Sequence, residues 1–211
     1  MDAFQDRYLV HQARKRAVNA TASVELSLAP VRLRRGHGEF WAVFDARRSV
    51  RLFAPGEILE GDWETIVDAA RIAPSSCNRG AVSVGLVTRA SSIERLSQLL
   101  VGAAIWGKHA AGVLLFFADP AAYKSPAERD FMPWLDVGAA CMSASLAVTR
   151  IGLGGCWVNP NVRPVDRDAF GAEFNPRGLI LGSALFVGVA AEDPDAPARK
   201  TLDEMFEYRL D

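Results

Sequence analysis

The stretch DVGAACMSASLAVTR, residues 136–150, decides the fold that the sequence predicts. Its residues are small and apolar nearly all round a helix, which indicates burial within this chain or against a second one. The predicted helix ends where the glycine run Gly152-Leu153-Gly154-Gly155 begins. Its neighbours along the chain must therefore supply a layer on which it can pack.

Helix and strand patterns alternate on both sides of this helix. Apolar runs predict strands at residues 82–88, 111–118 and 179–190. Amphipathic or capped patterns predict helices at residues 39–46, 62–73 and 92–101, and a short final one from residue 201. Strands separated by helices predict an α/β or α+β fold, in which a sheet carries helices on its faces.

The overall composition is that of an ordinary globular protein. The chain has 211 residues and a formal net charge of −1, and 50% of its residues are hydrophobic. No apolar run reaches the roughly 18 residues of a membrane span, and the N-terminus lacks the apolar stretch of a secretion signal. We therefore expect a cytoplasmic protein with no membrane partner and, given the charge balance, no nucleic-acid partner.

The N-terminal region differs from the rest, and no strong helix or strand period runs through residues 19–30. We therefore divide the chain into a helix-containing N-terminal extension packed on the main domain, residues 1–38, and one domain, residues 39–211. Two basic clusters in the extension, at residues 14–16 and 32–35, are docking surfaces or solvated faces. The lack of aromatic residues between the basic ones favours solvated faces.

Familiar catalytic and metal-binding motifs are absent from the sequence. Its three cysteines form no C-x-x-C pair, and its three histidines are scattered. It also lacks a G-x-S-x-G nucleophile elbow and a G-x-x-x-x-G-K-[ST] phosphate loop. We therefore expect no metal and no catalytic side chain, but a bound organic cofactor that carries the reaction.

Two cationic segments are suited to a phosphate group. Arg47-Arg48-Ser49-Val50-Arg51 holds three guanidiniums and a hydroxyl, and a guanidinium binds phosphate oxygens bidentately. A solvated basic turn is the alternative interpretation. Arg199 and Lys200, just before the final helix, either add charge to the same site or lie on the surface.

Two further segments are polar or rich in glycine. The loop Ala73-Pro74-Ser75-Ser76-Cys77-Asn78-Arg79-Gly80 offers donors for a polar heterocycle or a polyol, or is an ordinary turn. In Gly152-Leu153-Gly154-Gly155-Cys156-Trp157, the glycines permit positive φ and a close approach of main chain to ligand, or form a helix C-cap. This run follows a helix, whereas a dinucleotide-binding fingerprint follows a strand.

Taken in order, these four segments resemble the nitroreductase family of FMN-dependent flavoproteins over residues 47–209. The arginine segment resembles the family's R-R-S-V-R-x-F signature, and the loop resembles its A-P-S-S-x-N motif. Residues 136–157 resemble its long core helix, which ends in G-L-G-x-C-W. A subgroup associated with surface-polysaccharide biosynthesis is similar at Asp136, Gly138, Met142, Ser143 and residues 76–79.

The resemblance implies an α+β fold with a central, mainly antiparallel sheet flanked by helices. It also implies an intertwined homodimer with two FMN sites at the interface. The residues it assigns to the flavin phosphate and ribityl chain are Arg47, Arg48, Ser49, Arg51, Arg199 and Lys200. The loop stiffened by Pro74 would face the flavin through Ser75, Ser76 and Asn78, and the main-chain N–H groups of Gly154 and Gly155 would approach the ring.

The sequence departs from the family pattern at two places. Gly80-Ala81-Val82 stands where the family commonly has Gln-Pro-Trp, and Met142-Ser143 replaces a Gln-Asn pair. A side-chain contact near the ring is therefore lost or supplied from elsewhere.

The function that follows is an FMN-dependent oxidoreductase that acts by alternating half-reactions on a small, electron-poor organic substrate, with NADH or NADPH as donor. The alternatives are a non-catalytic flavin-binding module and an enzyme that uses oxygen to modify the flavin itself. Five residues are candidates for the acceptor pocket or for the core: Trp106, His109, Tyr123, Phe131 and Trp134.

Overall fold

The computed structural model describes residues 38–207, so the predicted extension lies outside the described residues except for Gly38. The α-helices in this range are α1 (Gly38–Ala46), α2 (Glu60–Arg71), α3 (Ala90–Leu99), α4 (Pro126–Arg150), α5 (Arg167–Phe174) and α6 (Leu202–Met205). The strands are β1 (Phe53–Ala54), β2 (Val82–Val87), β3 (Gly112–Ala118), β4 (Gly154–Val158) and β5 (Ile180–Ala190).

The five strands form one sheet in which every ladder is antiparallel. β5 is its centre: β3 pairs along one edge, while β4 and β1 follow one another along the other edge. β2 pairs with the outer edge of β3. The expected α+β class with a mainly antiparallel sheet and flanking helices is therefore confirmed.

Side-chain alternation on β3 divides the core into two layers. Val113, Leu115 and Phe117 point into a cluster that includes residues of α3, and Leu114 and Phe116 point into a second cluster with residues of α2 and α4. Every residue of β3 is buried, because helices cover both faces of the sheet at this strand.

Helix α4 begins ten residues earlier than the sequence pattern predicts. Ser125 caps it: its hydroxyl accepts from the Glu128 N–H at 3.2 Å, and the Glu128 carboxylate accepts from the Ser125 N–H at 3.3 Å. This capping box was a visible signal that our sequence analysis missed. Within residues 38–207, α4 is also the one helix long and apolar enough to cross a membrane by length and composition.

Among residues 38–207, only one face of α4 is well covered. Residues such as Val137, Cys141 and Val148 are buried on it. The opposite face bears Leu135, which is 60% exposed, and the half-buried Met142. Residues 38–207 therefore do not bury this face, and the alternative, contact with a second chain, stays a prediction.

The sequence analysis assigned no strand to the glycine-rich segment at residues 152–157, but residues 154–158 form β4. Strand β4 is short and begins with two glycines, so it has little intrinsic preference for a strand. Its pairing with β5, from Gly154 opposite Gly188 to Val158 opposite Ala184, is a tertiary interaction. Helix α5 and strand β1 were missed as well.

Gly182 on β5 gives a direct test of how closely α4 packs on the sheet. A Cβ at this position would lie 2.7–2.9 Å from three side-chain atoms of Val137. We expect Gly182→Ala to lower the free energy of unfolding by roughly 1–3 kcal/mol in urea titrations, because the helix must shift away. The matched change Gly61→Ala, in an exposed turn of α2 with no atom within 4 Å, should be neutral or stabilising. Equal stability of the two variants would contradict this packing.

Candidate functional site

The arginine segment lies at the end of α1 and is tied to the start of β4. The Val50 N–H donates to the Gly155 carbonyl at 3.0 Å, and Ser49 pairs with Gly155 in an isolated parallel bridge. The segment is thus an ordered structure, held against the sheet, from which the side chains of Arg47 and Ser49 line a cleft.

Arg47 lies in a strongly cationic environment. Its partial burial, and then the guanidiniums of Arg199 and Arg48, lower its pKa from the ordinary arginine value. The fold thus brings Arg199 close to Arg47 although they lie near opposite ends of the domain. Within residues 38–207, no carboxylate lies in salt-bridge distance of Arg47 or Arg199. Positive charge gathered without a counter-ion is suited to an anionic ligand.

Arg48 has a structural role that the sequence analysis did not predict. Its Nε donates to the Pro194 carbonyl at 3.1 Å, and its Nη1 donates to the carbonyls of Arg47, at 3.0 Å, and Asp45. These bonds connect the end of α1 to the segment that leads to Arg199. The Arg48 side chain therefore mainly stabilises the local structure.

Glu192 holds the other end of the arginine segment. Its Oε1 accepts from the main-chain N–H groups of Arg51, at 2.5 Å, and Leu52, at 2.9 Å. The Arg51 side chain makes a weak contact of 3.5 Å with the Ser49 carbonyl. Lys200 is exposed beside Arg199. Arg47 and Arg199 are therefore the strongest candidates for direct contact with an anion.

A cleft of about 260 Å³ lies between the arginine segment and α4. It is lined by Arg47, Arg48, Ser49, Met142, Ser145, Thr149, Gly155, Trp157 and Leu185. A second hollow of about 220 Å³ shares Arg48, Thr149 and Gly155 with it, so the two are contiguous. The sequence analysis missed Ser145 and Thr149, although their spacing of four residues places both hydroxyls on one face of a helix.

At Gly152 the glycine run takes the second of its two expected roles, that of a helix C-cap. Gly152 alone of the run has positive φ, at 83°, and it ends α4: its N–H donates to Thr149, and that of Leu153 donates to Val148. This is a glycine C-cap of the Schellman type. A Cβ at Gly154 would lie 2.8 Å from Val50, so this glycine permits close packing within the chain.

The loop of residues 75–80 adopts an unusual main-chain conformation. Cys77 and Asn78 both have positive φ, at 51° and 53°, in the region that favours glycine. The Ser75 hydroxyl accepts from the Gly80 N–H at 3.0 Å, and the Ser76 hydroxyl accepts from Arg79 at 3.3 Å. Asn78 is exposed. The loop is thus internally bonded and leaves the Asn78 carboxamide open.

The structure does not bring the loop and the cleft together within one chain. The loop is bonded to α4 at Asp136, whereas α4 lines the cleft through Met142, Ser145 and Thr149. At 1.5 Å and 100° per residue, these positions lie about 9–20 Å further along α4 and about 120–180° around it from Asp136. The predicted site residues therefore form two separate groups.

Two of the residues considered for an acceptor pocket belong to the core. Trp106 packs on Phe53 and Phe186, and Tyr123 is fully buried. Phe131 and Trp134, by contrast, are each 48% exposed on the first turns of α4.

The antiparallel sheet with its long central helix defines an α+β fold. The cleft beside the arginine segment is a cationic site large enough for a small-molecule ligand. A family model described as the nitroreductase family matches residues 45–107 and 105–182 of this chain. The chain therefore belongs to the nitroreductase family, as its motifs predicted, and falls in the class of oxidoreductases.

Individual relatives are similar over most of their length. An Archaeoglobus fulgidus protein provisionally named NADH dehydrogenase/NAD(P)H nitroreductase is 24% identical over 151 residues, which are 71% of this chain and 84% of that protein. A provisionally named nitroreductase of Desulfovibrio desulfuricans, solved in complex with FMN, superposes with a TM-score of 0.71 at 20% identity, covering 82% of this chain and 97% of that one. A nitroreductase family protein of Streptococcus pneumoniae TIGR4 superposes with a TM-score of 0.71 at 16% identity, covering 81% of this chain and 100% of that one.

Proposed function

We propose that this protein is an FMN-dependent oxidoreductase that reduces a small, electron-poor organic substrate with NADH or NADPH as donor. The observation that carries the proposal is a cleft lined by Arg47, whose pKa is lowered by burial and by nearby Arg199, in a member of the nitroreductase family. Within residues 38–207, neither arginine has a carboxylate in salt-bridge distance. The FMN bound to the Desulfovibrio relative and the NAD(P)H in the name of the Archaeoglobus relative support the choice of cofactor and donor.

The residues of the cleft fit the chemical groups of FMN. The guanidinium of Arg47, with that of nearby Arg199, suits the phosphate dianion, and the hydroxyls of Ser49, Ser145 and Thr149 suit a polyol chain. Bound FMN would supply hydride chemistry. The chain's own part is to hold the phosphate, orient the ring and exclude water.

We further propose that two copies of the chain complete each site. The exposed face of α4 carries an apolar stripe at helical spacing: Leu135, Gly138, Met142 and Leu146. A Cβ at Gly138 would meet no atom within 4 Å, so there is room for a partner. If two copies pack antiparallel along this stripe, the loop on the N-terminal half of one α4 lies beside the cleft on the C-terminal half of the other.

The first experiment is the visible absorption spectrum of the purified protein, followed by titration with FMN and anaerobic stopped-flow mixing with NADH or NADPH. We expect flavin bands, and bleaching of bound FMN faster than that of free FMN under the same conditions. A colourless protein that takes up no added FMN would contradict the proposal.

The same measurements separate the two alternatives. A protein that holds FMN but shows no reduction above the rate of free flavin is a binding module. An enzyme that modifies flavin would yield altered flavin when the reduced protein is returned to air. We expect FMN to be recovered intact, as judged by chromatography of the released cofactor.

A further inference from the structure

The main chain at Cys77 and Asn78 requires support from outside the loop. Two successive non-glycine residues in the left-handed region are unfavourable, and such a conformation persists only where surrounding structure determines it. The bonds inside the loop, such as that from the Gly80 N–H to Ser75, cannot by themselves fix its place on the domain.

The outside support comes from a buried carboxylate on α4. Asp136 is 5% exposed, and both of its oxygens are used. Oδ1 accepts from the Ser76 N–H at 2.8 Å, and Oδ2 accepts from the Tyr123 hydroxyl at 2.9 Å. Asp136 thus joins the loop to a fully buried tyrosine on the chain that leads into α4.

A second layer of contacts surrounds this pair. The Arg79 guanidinium lies 5.8 Å from the centre of the Tyr123 ring and binds Glu128 at 3.2 Å. Glu128 in turn caps α4. Burial, and then the hydrogen bond to Asp136, raise the pKa of Tyr123, which keeps its hydroxyl a donor at neutral pH. Loop, tyrosine and helix cap are therefore one connected unit.

Packing alone does not explain a carboxylate at this position. Within residues 38–207, Asp136 forms no salt bridge, and a buried carboxylate held by neutral donors is generally less favourable than an apolar side chain. What Asp136 provides instead is a fixed acceptor for one particular main-chain N–H, at the start of the unusual turn.

We propose that Asp136, together with Tyr123, is a positioning residue that fixes the loop of residues 75–80 so that Asn78 is presented to FMN. The inference rests on the proposed function for its ligand. The fixed loop conformation itself is testable without any ligand.

The test combines hydrogen exchange of the protein without FMN with FMN titration. We expect Asp136→Ala to speed amide exchange in residues 75–80 at least tenfold and to raise the Kd for FMN at least tenfold. Asp136→Asn should keep the exchange rate of the loop and the Kd for FMN close to those of the native protein, because its side-chain oxygen still accepts from the Ser76 N–H. Tyr123→Phe should give smaller shifts in the same direction.

The matched control is Ile93→Val, which trims a buried side chain of α3 in the other core cluster. It should lower the melting temperature and leave loop exchange and FMN affinity unchanged. The inference is overturned if loop exchange in Asp136→Ala equals that of the native protein, or if its change in Kd is no larger than that of the control. If Asp136→Ala does not fold, the same two comparisons, of loop exchange with the native protein and of the Kd change with the control, are made on Tyr123→Phe.

Failure of the inference and failure of the proposed function have different signatures. A native protein that binds no FMN overturns the proposed function, while the exchange experiment still decides whether Asp136 fixes the loop. A native protein that binds FMN, with the same affinity in the Asp136 and Tyr123 variants, overturns the inference alone. The visible circular dichroism of bound FMN adds a further signature, because a displaced loop changes the surroundings of the ring.

Discussion

Replacing Arg47 and Arg199 together with alanine is expected to raise the Kd for FMN by about 10²- to 10⁴-fold. Each charge-assisted hydrogen bond contributes roughly 1.5–3 kcal/mol, so the loss of two costs roughly 3–6 kcal/mol. The folded state should tolerate the change, because it removes a partly buried charge and the repulsion between Arg47 and Arg199, both of which lower the pKa of Arg47. The measurement is an FMN titration of the variant freed of cofactor.

The matched control for this prediction removes the same charge elsewhere. The side chains of Arg95 and Arg163 are 42% and 59% exposed and form surface ion pairs with Glu173 and Asp166. Their double alanine variant should bind FMN within about threefold of the native protein, since surface ion pairs contribute little. Riboflavin, which lacks the phosphate, should bind equally weakly to the native protein and to the Arg47/Arg199 variant. Unchanged FMN affinity in that variant would show that the phosphate lies elsewhere.

The second prediction is that two defective variants restore each other when they are produced together. One subunit carries Arg47→Ala with Arg199→Ala, and the other carries Asn78→Glu in the exposed part of the loop. If each site takes its arginines from one chain and its loop from the other, a mixed dimer has one doubly altered site and one native site. With random pairing, about a quarter of all sites should then bind FMN normally.

The control is each variant produced with a differently tagged copy of itself, which should restore no FMN binding. If one chain supplies both halves of its site, the mixed dimer also has no intact site. The absence of any restored binding in dimers that are shown to be mixed would therefore refute the shared site. A monomer in light scattering at micromolar concentration would refute it as well.

Much of the candidate site could be found in the sequence, because its chemistry is local. A cluster such as residues 47–51 carries its phosphate affinity in side chains that are adjacent along the chain. The proximity of Arg199 to Arg47 followed from the family resemblance, and burial and charge in the structure are in accord with it. The loop motif was visible in the same way. The surface-polysaccharide subgroup, the cytoplasmic location and the division at residue 38 stay predictions.

Other features depended on contacts that a sequence pattern does not contain. The Arg48 Nε donates to the carbonyl of Pro194, 146 positions away, which no pattern around residue 48 predicts. A Cβ at Gly154 would contact Val50, which lies more than a hundred positions away in the sequence. The support of the loop by Asp136 joins two segments sixty positions apart.

The sequence by itself determined the family, the order of the main helices and strands, and the long apolar helix at the centre of the fold. These follow from periodicity and residue chemistry, which are local properties of the chain. Only the tertiary structure decided that β4 is a strand and that the site residues form two groups on different faces of α4. The physical reason is that strand pairing, burial and the face that a helix presents are set by the distant segments that pack against them.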